Sequence, residues 1–189
     1  MTTRAGSDRP QIAVVCAAFD ADGDRAIAEV RALVRSLGGR AAVKPAHHPH
    51  LTLSAAAVEE PSGIVRIAAR VAKRHKPFRL RLSEVGTFGR GDVVWIGPSR
   101  SGPLTALQRD AYSSLIDAGH PPAFAGQSHP RGWRPHCTIA RWTPQQAVDE
   151  LRARFEPIYL NVDAITTIVV GGHGEVGYAA MADRKGARR

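Results

Sequence analysis

Apolar and polar positions alternate along this chain with two periods, and the switches between them mark its elements. After the polar leader MTTRAGSDRP, the run QIAVVCAAF reads as a buried strand. Ile27, Val30, Val34 and Leu37 then recur at helical spacing, and Gly38-Gly39 closes the segment, predicting a helix over about 22–37. A strand is expected near 50–55. Ile64, Ile67, Ala68 and Val71 give a second helix that starts after Pro61 and ends before Pro77. FRLRLSEVGTF alternates as a strand, with DVVWIGP as its partner across the Gly89-Arg90-Gly91 turn. Leu104, Leu107, Ala111 and Leu115 predict a third helix over about 103–118, followed by a Gly- and Pro-rich loop to Pro135. Thr143-Pro144-Gln145-Gln146 has the form of a capping box, with Thr143 as N-cap, for a fourth helix ending near Phe155. AITTIVVGG and EVGYAAM close the chain as two strands around a Gly-rich hairpin that includes His173.

The predicted order is β-α-β-α-β-β-α-β-α-β-β, and its two halves look alike. Gly-rich hairpins and short turns suit an antiparallel or mixed sheet. The expected fold is α+β, with two pseudo-symmetric lobes and outer helices around a central cleft. Residues 11–182 are expected to form one bilobal domain, with 1–10 a flexible leader and 183–189 a flexible basic tail.

The chemical signal is a pattern that occurs twice. His50-Leu51-Thr52-Leu53 and His136-Cys137-Thr138-Ile139 both read His, apolar, Thr, apolar. On a strand each would place His and Thr on one face and two apolar residues on the other. Eight His and nine Thr in this chain give a single His-x-Thr about 0.4 times by chance, so two in matching contexts carry weight. Each follows a proline-bearing approach, KPAHHPH and RGWRPH, and opens an apolar-alternating run. Two imidazoles and two hydroxyls brought together would make a compact phosphate site. One His could accept a proton and the other donate one, while Thr52 and Thr138 donate to non-bridging oxygens as charge builds on them.

With these motifs the chain resembles the 2H phosphoesterases, which include the RNA 2′,3′-cyclic phosphodiesterases also called 2′-5′ RNA ligases. EVGTFGRGDVVWIGP, residues 84–98, is similar to that family's glycine-phenylalanine turn and short apolar strand between the motifs, and the resemblance spans roughly residues 11–182. It implies the same bilobal architecture. It also implies opening of a 2′,3′-cyclic phosphate to a 2′-phosphate, with His50 as proton donor to the leaving oxygen and His136 as the base that activates water. Run backwards, the reaction joins RNA ends through 2′-5′ linkages. The residues alone do not distinguish acid from base. SAAAVEE after the first motif departs from the glycine-bearing continuation of the RNA enzymes, so an RNA end, a mononucleotide and another small cyclic phosphate all stay open as substrates.

Composition narrows the partners. The net charge of +9 and pI near 10.5 favour a polyanion such as RNA. The expected partner is RNA with a 2′,3′-cyclic phosphate end or a small cyclic nucleotide, bound by a monomer without a membrane. The leader lacks the apolar core of a signal peptide, so the expected location is the cytoplasm. Cys16 and Cys137 lie in apolar runs and read as buried thiols. No cofactor or metal is expected. A competing reading takes His47, His48 and His50 as a metal cluster, but carboxylate or Cys partners at short spacing are missing. Arg90, Arg134 and Arg141 are candidates for phosphate contacts, and Phe88 and Trp133 for base stacking, with Trp95 assigned to the core. His75, His120, His129 and His173 read as surface or loop residues. The alternative function is a non-catalytic module that holds RNA or nucleotide in the same cleft.

Overall fold

The computed structural model describes residues 11–40, 48–89, 92–99, 101–170 and 176–183, with no side chain described at 176 or 178–183. His47, Arg90 and His173, the leader 1–10 and the tail from 184 onward lie outside the described residues.

Strand β1 is Gln11–Phe19, followed by helix α1, Ala21–Ser36. Asp20 caps α1 by accepting from the Gly23 amide at 3.0 Å, and Ile27 and Val34 are its buried stripe. The first motif opens β2, His50–Val58, and α2 is Ser62–Arg74. Then come β3, Phe78–Phe88, and β4, Val93–Pro98. Helix α3, Gly102–Asp117, is capped by Ser101, which accepts from the Leu104 amide, and it buries Leu104, Leu107, Ala111 and Leu115 as the spacing predicts. A single helical turn, α4 at Ala125–Ser128, lies inside the Gly- and Pro-rich segment read as loop. The second motif leads into β5, Cys137–Arg141, and α5 is Gln145–Arg154. The last described elements are β6, Ile158–Val170, and β7, Val176–Asp183.

Two sequence expectations need correction. Thr143 is not an N-cap: α5 starts after Pro144 without a side-chain cap. The Thr143 hydroxyl donates back to the Arg141 carbonyl at 3.4 Å, because Trp142 turns the chain with φ at 51° and buries Thr143 on the wrong side of the helix start. Strand β6 also begins six residues before Ala164. Leu160 and Val162 face the core there while Tyr159 and Asn161 face solvent, an alternation hidden by the polar residues between.

Among the described residues seven strands form one sheet, and their pairings are all antiparallel. Its main path is β2-β1-β6-β3-β4-β5. Exchanging β1 with β4, β2 with β5 and β3 with β6 reverses this order and leaves it unchanged, which is the pseudo-symmetry expected of the two halves. Strand β6 joins the lobes: β1 runs along one edge, while β3 takes Ile158–Val162 and β7 takes Ala164–Val170 along the other.

The helices obey the same exchange. Helix α1 packs with α5 and against β5 and β6, whereas α3 packs with α2 and against β2. Each outer layer therefore combines one helix from each half. Leu51, Leu53, Ile64, Leu82, Ile96, Leu104, Leu107 and Ile139 are fully buried between helices and sheet, and each contributes about 1.5–3 kcal/mol. Among the described residues no helix is long and apolar enough to cross a membrane.

Candidate functional site

In both motifs His and Thr are half-buried and the intervening apolar residues are buried, so the alternation read from the sequence holds. Cys16 on β1 pairs with Thr52, and Trp95 on β4 pairs with Thr138, at positions related by the pseudo-symmetry. Directly after each pair the register slips by one residue. The unpaired residue is Leu53 in β2 and Ile139 in β5, the fourth position of both motifs. A bulge bends its strand and re-aims the side chains beside it, and here it also lets two successive residues on each strand be buried.

Both imidazoles are oriented in the same way. His50 Nδ1–H donates to the His48 carbonyl at 3.0 Å, and His136 Nδ1–H donates to the Arg134 carbonyl at 2.9 Å. A carbonyl only accepts, so each bond places the proton on Nδ1 and makes Nε2 the unprotonated nitrogen of the neutral ring. Helix α1 supports both motifs. Asp24 engages His48 Nδ1 at 3.3 Å, and Arg31 donates to the Thr138 carbonyl at 3.2 Å.

The strands β2 and β5 approach each other, and the His50 backbone lies beside the Cys137 thiol. The adjoining cleft encloses about 430 Å³ and is lined by Thr52, Phe88, His136 and Thr138, with Trp133, Arg134 and Arg141 on its walls. The ring of Phe88 meets His136 edge-to-face, centroids 4.7 Å apart at 85°. Burial pushes the His136 pKa below the usual imidazole value; its bond to the Arg134 carbonyl works the other way, and the Arg134 charge adds to the lowering. Burial raises the Cys16 thiol and pushes Cys137 up to about 11, so both stay protonated and unreactive under the site.

The other sequence candidates fall in different places. Arg134 lines the cleft with its guanidinium 4.5 Å over the Trp95 ring. Trp95 is buried, as assigned, yet stands only 6.4 Å from His136. Trp133 is a wall rather than an open platform: it is 4% exposed and its Nε1–H donates to the Thr52 carbonyl at 2.8 Å. His75 is paired with Asp110 at 2.8 Å, and His129 packs against Tyr112 outside the cleft lining. The rings of His48 and His50 have separate Nδ1 partners, and among the described residues no group of three or more His, Cys, Asp or Glu could hold a metal ion.

Sequence reasoning missed Phe124, Gln127 and Ser128, which line the cleft from the short turn α4 and its approach. Phe124 is 46% exposed, the large open aromatic that Trp133 is not. An apolar aromatic placed among Gly, Pro and His in a loop was the signal available.

Comparison with known proteins agrees with this arrangement. A family model described as the 2′-5′ RNA ligase superfamily matches residues 19–174. An RNA 2′,3′-cyclic phosphodiesterase of Geobacillus stearothermophilus is 31% identical over 106 residues, a stretch covering 54% of this chain and 32% of that protein. The chain thus spans about a third of that relative's length. Escherichia coli LigT in its apo form superimposes with a TM-score of 0.64 at 20% identity, covering 93% of this chain and 98% of the other. LigT complexed with 3′-AMP gives 0.62 at 20% identity, with 91% and 95% covered. By the span of the matched family model, which takes in both His-apolar-Thr-apolar motifs, this chain belongs to the 2′-5′ RNA ligase superfamily of 2H phosphoesterases.

Proposed function

We propose that this protein is a metal-independent phosphodiesterase that opens the 2′,3′-cyclic phosphate of an RNA end or nucleotide to a 2′-phosphate. The observation that carries the reading is the paired tautomer: two imidazoles, each with Nδ1–H committed to the carbonyl two residues before it and Nε2 unprotonated in the neutral ring. His136, whose protonation burial disfavours, takes a proton from water as the water oxygen attacks phosphorus. The bond from phosphorus to O3′ breaks, and protonated His50 supplies the proton that O3′ needs. Charge on the non-bridging oxygens is met by Thr52 and Thr138 and by Arg134 at the cleft wall. With a 5′-hydroxyl in place of water as the nucleophile, the same two proton transfers open the cyclic phosphate into a 2′-5′ linkage, O3′ again leaving as a hydroxyl, and abundant water favours hydrolysis. Phe124, open on the cleft wall, suits stacking against a base. The similarity to an RNA 2′,3′-cyclic phosphodiesterase supports the substrate class.

The test is incubation with the four 2′,3′-cyclic mononucleotides and with cyclic-phosphate-ended RNA, in EDTA, with the product phosphate located by NMR. A 2′-phosphate product supports the proposal. Binding without turnover would make the protein a nucleotide-holding module, and a 3′-phosphate product would overturn the assignment of the leaving oxygen.

A further inference from the structure

The sheet face that carries the motifs extends well beyond the cleft. Directly paired residues of antiparallel strands point to one face, so Gly86, Trp95 and Thr138 share it, and Phe88 and Glu84 follow by alternation. The register between β3 and β4 slips between Leu82 and Glu84, after which Leu80 and Leu82 face the core and Arg79 and Arg81 face the cleft side. On β6, Tyr159 pairs with Arg81 and Asn161 with Arg79, which puts these residues on the same face.

There the two arginines lie against an exposed tyrosine. The Arg79 guanidinium lies 4.7 Å from the centre of the Tyr159 ring and that of Arg81 lies 6.0 Å away, while Tyr159 is 56% exposed. Among the described residues neither arginine is in an ion pair. The nearby Asp20 carboxylate is already used by the Gly23 amide and by Asn161 Nδ2, the latter at 2.7 Å. Two like charges kept together without a carboxylate, beside an open aromatic face, form a pattern that phosphate and base recognition uses.

The patch shares its sheet face with the cleft, and Glu84 on β3 lies three residues from Arg81. A depression of about 360 Å³, lined by Arg134, Trp133, Pro98 and Glu84, adjoins the cleft and shares Arg134 and Trp133 with it. Along β3 the distance from Phe88 to Arg81 is roughly 23 Å at about 3.3 Å per residue, the length of a few nucleotides. Glu84 is the acidic side chain on this path; it accepts from Ser99 at 3.5 Å and suits a ribose 2′-hydroxyl as donor.

We propose that Arg79, Tyr159 and Arg81 form a second binding site for the RNA strand, a few nucleotides upstream of the reacting end. This rests on the phosphodiesterase reading of the cleft, but it can fail separately. The occupant is a single strand because the patch pairs unneutralised guanidinium groups with an aromatic face in line with the cleft, which an acidic protein surface would not require.

The experiment compares the wild type with Arg79→Ala/Arg81→Ala and with Tyr159→Ala, all exposed positions, on cyclic-phosphate-ended RNAs of one to eight nucleotides. Binding of the matching 3′-phosphorylated oligonucleotides, read by fluorescence anisotropy, gives a measure independent of turnover. In the wild type, affinity should rise at least tenfold from the mononucleotide to about six nucleotides. The double variant should lose most of that gain, keep its kinetics on the cyclic mononucleotide, and bind the hexamer with a salt slope shallower by about 1.4, or 0.7 for each single-strand phosphate released. A wild type without a length advantage, or a double variant that keeps it, would overturn the site. Absence of turnover on every substrate would sink the phosphodiesterase reading, while the anisotropy comparison would still decide this one.

Discussion

Trp133 and Thr52 belong to different halves of the chain, and the indole N–H of one donates to the main-chain carbonyl of the other at 2.8 Å. The bond is one of a series. The Ala123 amide donates to the Ala55 carbonyl at 2.8 Å, and buried Gln108 bridges the Leu53 and Ser128 carbonyls at 3.3 and 2.8 Å. Strand β2 is the end of the sheet's main path, so the segment from Gly119 to Pro135 covers an edge that would otherwise be open, and it does so beside the first motif. The second half of the chain thus holds Thr52 in place.

Trp133→Phe keeps much of the bulk but removes the donor. It should lower stability by about 1–2 kcal/mol, because the Thr52 carbonyl loses its partner, and should reduce kcat more than it raises KM. Trp133→Ala should cost about 3–5 kcal/mol. Denaturant unfolding alongside steady-state kinetics checks both, and a fully stable, fully active Trp133→Phe would mean the bond positions nothing.

His50→Ala and His136→Ala should each lower turnover by about 10² to 10⁴, and the double variant should lose less than the product of the two. Neither should unfold the protein, since both side chains are half-buried rather than packed in the core. Near-normal turnover in either single variant would remove that histidine from the mechanism.

The depressed pKa of His136 fixes the sign of two pH effects. As the proposed base it must be unprotonated, so the acid limb of the kcat/KM profile should fall below the ordinary imidazole value of about 6.5. Folding follows the same linkage. Between that value and the lower folded one, the unfolded chain binds more protons, so the stability held above about pH 6.5 is lost as pH falls through the folded pKa. Phe88→Ala opens the ring to water, should move the acid limb back up, and should leave the basic limb in place. A limb that ignores Phe88 would show that another group titrates there.

Chelation tests the rival chemistry. Turnover in EDTA should equal turnover without it, because the proposed proton transfers and charge stabilisation use only imidazole, hydroxyl and guanidinium groups. Loss of activity that a divalent ion restores would revive the His47, His48 and His50 cluster.

The parts of the structure that were legible in the sequence are those fixed by local periodicity. Gln11–Phe19 and Phe78–Phe88 match their apolar runs end to end, and the two motifs put His and Thr on one face as a period of two requires. What was hidden depends on partners distant in sequence. The bulges at Leu53 and Ile139 exist only against β1 and β4, and the role of Trp133 is set by a carbonyl 81 residues away. Phe124 escaped notice because a loop has no period to read. Thr143 misled because its local pattern fits a cap while the turn at Trp142 directs it elsewhere.

Gly86 offers the sharpest local test of how the second motif is supported. It pairs with Trp95, which in turn pairs with Thr138, and a methyl group at residue 86 would overlap the six-membered ring of Trp95. The φ at Gly86 is one that any residue can adopt, so backbone strain plays no part. Gly86→Ala must therefore push the indole off β3, and overpacking of this kind costs about 1–3 kcal/mol. The ring stands 6.4 Å from His136 and beneath Arg134, so the shift should also reduce turnover. Trp95→Leu in the same chain removes the overlapping ring. The double variant should then be more stable than the sum of the two single losses predicts, by at least about 0.5 kcal/mol, the scale on which contacting residues couple. Strict additivity would mean that Gly86 is needed for something other than the flat approach of Trp95.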